Sequence, residues 1–506
     1  DFTANVISAT KVVPDGNFKD SKASGVWDIN EALDLIKGGN WPNAANINPA
    51  AFVDGLFQCH LYDGTGSQQT ITNNIDFTKG GLIITKRRDS STGNGPYWND
   101  TERGVTNYVR SDSDGGTGAQ NTSSTGAVVS TSSTGYVVGT FNGWNNSSGE
   151  YVSWSFRKQP KFFDVVTYSG TGSAQNISHS LGSVPGMILV KRTDSTASWN
   201  VYHRGLNGGT NPEQYGINLN TTGAEFSSSG YWNNTAPTST QFTVGTSSNA
   251  NASGGTYVAY LFAHNNNDGG FGEPGDQDII KCGTYTGVSA TEISVDLGFE
   301  PQFIMIKRAT GSSLEVYASW FVQDTMRGMV AKGSDAKDKV LYWNKTQAEG
   351  FRGNGGSTDV AIQIHPNATG FTVPSTNSVE VNQASETYIY MAIRRGGMQT
   401  PTAASSVFKA TAMSSSFLAD TGFAVDLSID TVRTSTGSNF VNDRLRGSGV
   451  FMKTDAGDAE STGGSRKFDS NQGVRFVTGD SSGFTGVNWA WKRARGYFDV
   501  VAYTGT

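Results

Sequence analysis

Phe163-Asp164-Val165-Val166-Thr167-Tyr168-Ser169-Gly170-Thr171-Gly172 returns near the end of the chain as Phe498-Asp499-Val500-Val501-Ala502-Tyr503-Thr504-Gly505-Thr506. Looser copies stand at Leu56–Gly66 and Asp278–Gly287, and a weaker one at Ser406–Ser416 has lost the tyrosine. A β-branched and aromatic run that breaks on Gly-Thr-Gly reads as a strand entering a turn. Counting the fourth copy that lacks it, Tyr62, Tyr168, Tyr285 and Tyr503 are spaced roughly one small domain per copy, too far for a solenoid repeat. The chain therefore reads as four related β domains and the start of a fifth.

The second copy shows the whole unit. The opening strand is followed by Ile177–Gly182, then Met187-Ile188-Leu189-Val190-Lys191-Arg192, then Trp199–Leu206, Gln241–Gly245 and Tyr257–Ala263. Short apolar runs separated by Gly, Pro, Asn and Ser predict an all-β fold of tandem, jelly-roll-like β-sandwich repeats. The expected boundaries are 51–160, 161–275, 276–400 and a divergent 401–495, with 496–506 opening a fifth repeat. Residues 1–50 form a docking segment. There Asp28 or Asn30 caps a short helix carrying Ile29, Leu33 and Ile36 on one face, stopped by Gly38-Gly39 and Pro42. Closing strands run almost directly into the next opening strand, which predicts beads in a semi-rigid row.

Composition excludes several classes. The chain has 506 residues, 63 of them glycine, with 38 Lys and Arg against 44 Asp and Glu. A net charge of −6 and the lack of any long basic run leave no electrostatic footprint for nucleic acid. No apolar stretch is long enough for membrane insertion as a helix. Aromatics at 11% set it apart from a disordered polar tract. Starting at Asp1 and breaking off inside a fifth copy, the chain reads as a processed or partial polypeptide. Cys59 and Cys282 hold equivalent places three residues before a repeat tyrosine, where valine stands at 165 and 500, so both read as small core residues.

The segment Gly25-Val26-Trp27-Asp28-Ile29-Asn30-Glu31-Ala32-Leu33-Asp34-Leu35-Ile36-Lys37-Gly38-Gly39-Asn40-Trp41-Pro42 resembles one common in tail-fibre-like virion structural proteins of marine tailed phages, cyanophages especially. The repeat phrases resemble an uncharacterised β module of such proteins. The resemblance covers most of 20–395 and implies a virion, extracellular location with other virion proteins as partners. It carries no catalytic signature.

The search for chemistry yields little of a catalytic kind. His60, His179, His203, His264 and His365 lack metal-pair spacing, although His179 and His203 belong to one repeat. No nucleophile elbow or phosphate loop occurs. Carboxylates that could serve glycoside cleavage are Asp112 with Asp114, Asp455 with Asp458 and Glu460, and Asp296, which recurs loosely as Asp426. Asp112–Gly116 and Asn265–Gly270 offer clustered oxygens for Ca, but neither continues into a calcium loop. The pairs Lys86-Arg87, Lys191-Arg192 and Lys307-Arg308 end one strand in three repeats; they could bind an acidic glycan or a lipopolysaccharide phosphate, but read first as solvated strand ends or as partners of acidic residues such as Asp89 and Asp194. Trp144, Trp232 and Trp343 stand in Asn-rich turns, where a ring beside amides could stack on a host-surface glycan.

These features predict no enzyme. They predict a virion fibre or appendage protein for host attachment, as a homo-oligomer with a trimer favoured. The alternatives are a capsid-decorating or filament-forming subunit, for which Gly496–Thr506 is a candidate donated strand, and a polysaccharide depolymerase.

Overall fold

The computed structural model describes residues 49–90, 95–115, 121–122, 127–272, 275–311, 318–332, 339–350, 364–375, 380–401, 403–413, 418–433, 437–476 and 486–501. The expected N-terminal helix lies outside them. The chain is all-β and is built from one sheet plan used four times. In each repeat an opening strand and a central strand flank a closing strand, and a fourth strand follows the central one. The opening strands are Phe57–Asp63, Phe163–Ser169, Ile280–Thr286 and Phe408–Met413. The closing strands are Glu150–Arg157, Thr256–Ala263, Thr387–Arg394 and Gly486–Trp491. The central strands are Gly81–Arg87, Pro185–Arg192, Pro301–Arg308 and Leu427–Val432. The fourth strands are Tyr97–Asp100, Asn200–His203, Phe321–Asp324 and Phe440–Asp443. A small second sheet, such as Gln69–Thr72 with Gly135–Val138, packs on one face of each large sheet.

The repeated phrase is a turn built from side chains. Tyr62, Tyr168 and Tyr285 each stack on the tyrosine opposite in the closing strand, at 5.2, 5.0 and 5.0 Å. The glycine two residues later sits where a Cβ would lie 2.0–2.1 Å from a backbone oxygen, at Gly64, Gly170 and Gly287, so no other residue fits. Asn145, Asn251 and Asn382 then accept from a backbone N–H of the turn and donate to two carbonyls across it. The register also places Cys59, Val165 and Cys282 opposite Trp154, Tyr260 and Met391, so the three are equivalent.

The central strands explain the larger architecture. In the first three repeats their residues are buried on both faces, which is why they read as continuous apolar runs rather than alternating ones. In the first repeat Ile83 joins Tyr97, Tyr136 and Trp144 inside the sandwich. Leu82 and Ile84 point the other way, with Trp98 and Trp154, into a core that also holds Leu189, Tyr260, Phe303 and Met391 of the next two repeats. Fully burying such a side chain is worth about 1.5–3 kcal/mol. Four per repeat thus contribute on the order of 6–12 kcal/mol, comparable with the whole stability of a small domain. The first three repeats therefore close on one another instead of forming a row of beads. Short links fix adjacency in sequence, but the two-sided apolar strand decides the packing.

Candidate functional site

The polar groups of the three repeats converge where the repeats meet, and they repeat in one cyclic sense. Between the first and second repeats, Tyr260 Oη donates to Asp100 Oδ2 at 2.8 Å and accepts from Arg103 at 3.1 Å. Between the third and first, Trp154 Nε1 donates to Asp324 Oδ2 at 3.1 Å. Between the second and third, His203 Nε2 lies 3.0 Å from the carbonyl oxygen of Tyr390 and donates to it. Lys191, Lys86 and Lys307 reach across the same three seams, to the carbonyls of Asp114, Lys345 and Thr222. The result is a pseudo-threefold ring within one chain.

An Asp-x-x-Arg clasp supplies the acceptors. In Asp100/Arg103 and Asp324/Arg327 the arginine Nε donates to the carboxylate at 2.6 Å, and its backbone N–H donates at 2.9 Å. A terminal nitrogen donates to the carbonyl of Trp98 or Val322. The carboxylate holds each buried guanidinium above its ordinary pKa against the cost of burial. Asp443/Arg446 repeats the clasp in the fourth repeat. In the second repeat His203 replaces the aspartate. Its Nδ1 accepts from Gly205, and burial drives its pKa down to about 3, with Arg204 and His264 adding to the fall. The imidazole is thus neutral with its proton on Nε2.

The lysines differ from the expected solvated ends. Lys86, Lys191 and Lys307 are fully buried, and burial lowers them to about 7, 8 and 7. The adjacent arginines do pair outward, Arg87 with Asp89 and Arg192 with Asp194. Strand alternation decides this, since the lysine shares the ring face with Leu82 and Ile84 and the arginine does not.

The tryptophans proposed as a recurring glycan platform occupy three different places. The tyrosine-accepting carbonyls show that Trp144 matches Ala250 and Val381. Strand pairing matches Trp343 with Leu219 and Ser111. Trp232 lies in a short helical turn, Ser229–Trp232. All three are buried, with exposures of 0, 2 and 0%, so no ring face is open to a sugar. Their indole N–H groups have no acceptor among the described residues.

Of the remaining candidates Asp455 is exposed, and the following sit in structural pairs or turns. Asp112 pairs with Arg110, Asp458 with Lys453 and Glu460 with Arg446. Asp296 accepts from Gly298 in a turn whose counterpart is Asp420 with Gly422, not Asp426. Asp426 is instead clasped by Arg395 at 2.6 Å. Asn265 ties Lys161, Ile279 and Ile280, and Asp268 accepts from Asn266, so that loop is knitted by its own amides. Among the described residues no three His, Cys, Asp or Glu side chains gather as a metal site. His179 stacks on Phe242, away from the His203 seam. Of 496–506, residues 496–501 are described. Phe498 bridges back to Ala494 and Val501 is 62% exposed.

One open cleft, of about 650 Å³, lies between the third and fourth repeats. Arg394, Arg395, Arg493 and Arg495 line it with Glu300 and Tyr497. Glu300 binds Arg395 and Arg493 at 2.6 and 2.9 Å, and Tyr497 is 44% exposed. The cleft thus sets an exposed aromatic ring beside arginines that are largely paired with carboxylates, a mixed polar surface of the kind that meets a sugar-like group.

Residues 54–395 match a family described as Domain of unknown function (DUF7483). The matched span coincides with the three-repeat ring and stops before the fourth repeat. No curated protein matches the chain.

Proposed function

The chain belongs to the DUF7483 family, whose matched span is the ring, and from that ring we propose a non-enzymatic structural protein of a phage virion appendage that contributes to host attachment. The observation that carries this reading is the use made of the recurrent polar residues. Asp100, Asp324, His203 and the three lysines, residue types able to serve chemistry, are consumed in holding three repeats together. A buried, mutually satisfied network stiffens a scaffold. The tail-fibre-like sequence phrases supply the virion setting. In this reading host-surface contact falls to the arginine-lined cleft and not to the buried tryptophans.

The test is to locate the chain in purified particles of its source by immunogold electron microscopy. Label at the tail or baseplate supports an attachment role. Label spread over the capsid, or absent from particles, overturns it.

A further inference from the structure

The fourth repeat repeats the ring sheet but leaves its ring face only partly covered among the described residues. Its strand order is the same, and the register puts Trp489 in the slot of Trp154, Tyr260 and Met391. Ile429 takes the slot of Ile84, Leu189 and Met305. Those six ring residues are all fully buried, whereas Trp489 and Ile429 are partly exposed. Leu427, Trp491 and Val441 on the same face are also partly exposed, and Met452 beside Val441 is 43% exposed. The opposite face of these strands is closed: Ser428, Asp430, Asn442 and Asn488 are at most 1% exposed. The apolar face is therefore the unsatisfied one.

The face also carries both halves of a seam bond. Trp489 matches Trp154, and Asp443 with its Arg446 clasp matches Asp324 with Arg327. Across the ring that pair bonds Nε1 to Oδ2 at 3.1 Å. Within one chain the first three repeats satisfy one another, so no like face is left for the fourth among the described repeats. Other copies of this chain carry the same face.

We propose that the fourth repeat is a trimerisation module. Three copies of this chain bring their fourth-repeat faces together about a true threefold axis, as the first three repeats do about the internal one. Trp489 of each copy donates to Asp443 of the next. Thr431 stands in the slot of Lys86, Lys191 and Lys307, so the trimer lacks the lysine ties and its assembly depends on concentration. This inference is independent of the virion reading.

Sedimentation equilibrium of the full chain over a hundredfold concentration range tests it. The expected result is a monomer–trimer equilibrium, reaching three times the 53.8 kDa chain mass. Ile429→Glu, which puts a charge on the face, abolishes the trimer while the far-ultraviolet circular dichroism stays unchanged. Trp489→Phe keeps the apolar body and removes only the donor, and it raises the assembly midpoint at least tenfold. A monomer at every concentration, a dimer, or a trimer indifferent to both substitutions overturns the proposal.

Discussion

Tyr260→Phe and Asp100→Ala, alone and together, probe the seam between the first two repeats. These residues lie 160 positions apart in sequence and 2.8 Å apart in space. Removing the Tyr260 hydroxyl deletes its bond to a buried carboxylate, worth about 1.5–3 kcal/mol, and the one it accepts from Arg103, worth about 1 kcal/mol. Removing Asp100 strips the buried Arg103 of its carboxylate, which costs about 3–5 kcal/mol. In the Asp100→Ala background only the bond from Arg103 is left to lose, so Tyr260→Phe costs about 1 kcal/mol there. The cycle therefore gives a coupling of at least ~1 kcal/mol. Urea unfolding followed by tryptophan fluorescence measures it, with m-values checked for constancy. Additivity within about 0.5 kcal/mol would mean that the two repeats do not share this bond, and the ring argument would fail.

Three further outcomes follow from the same contacts. Gly170→Ala, whose Cβ would lie 2.1 Å from the Ala252 carbonyl oxygen, lowers stability by roughly 3 kcal/mol in thermal unfolding; Gly457→Ala, with open space around it, stays within ~0.5. On acidification the protein loses stability. Burial lowers His60 and His264 to about 4 and His203 to about 3, whereas unfolded histidine titrates near 6.5, so the unfolded chain binds the extra protons. That stability is complete above pH 6.5 and is lost progressively down to about pH 3–4, and His203→Gln flattens the fall in a pH series of urea midpoints. Cys59 and Cys282 are buried free thiols whose pKa burial raises, Cys282 to about 12. Iodoacetamide at pH 8 should leave both unmodified in the native protein and alkylate both in urea, as read by mass spectrometry.

The parts of the fold visible in the sequence are those written in local chemistry. Strands, the Tyr-x-Gly turn and the equivalence of Cys59 with Cys282 follow from period, turn residues and spacing, and the structure has them in register. Closure was encoded in Met187–Val190 and its counterparts, which lack alternation and so announce two buried faces, but which partners cover the second face depends on contacts distant in the chain. The seam acceptors had a signal too. Asp100-Thr101-Glu102-Arg103-Gly104, Asp324–Gly328 and Asp443–Gly447 share one pattern, obscured by the offset His203-Arg204-Gly205 of the second repeat. The tryptophans misled because Asn-rich neighbours mark turns whatever the ring faces, and one shared flanking residue type does not establish equivalent positions.

Hydrogen exchange tests the closed ring most directly, on the backbone amides of Leu82–Lys86, Met187–Lys191 and Phe303–Lys307. These are the central strands of three repeats, and each has its ring face in one common core. If the three open as one unit, their slowest amides share a single opening free energy, and Asp100→Ala lowers all three by the same amount. Three different opening energies, with Asp100→Ala felt only by Leu82–Lys86, would return the molecule to a row of independent domains.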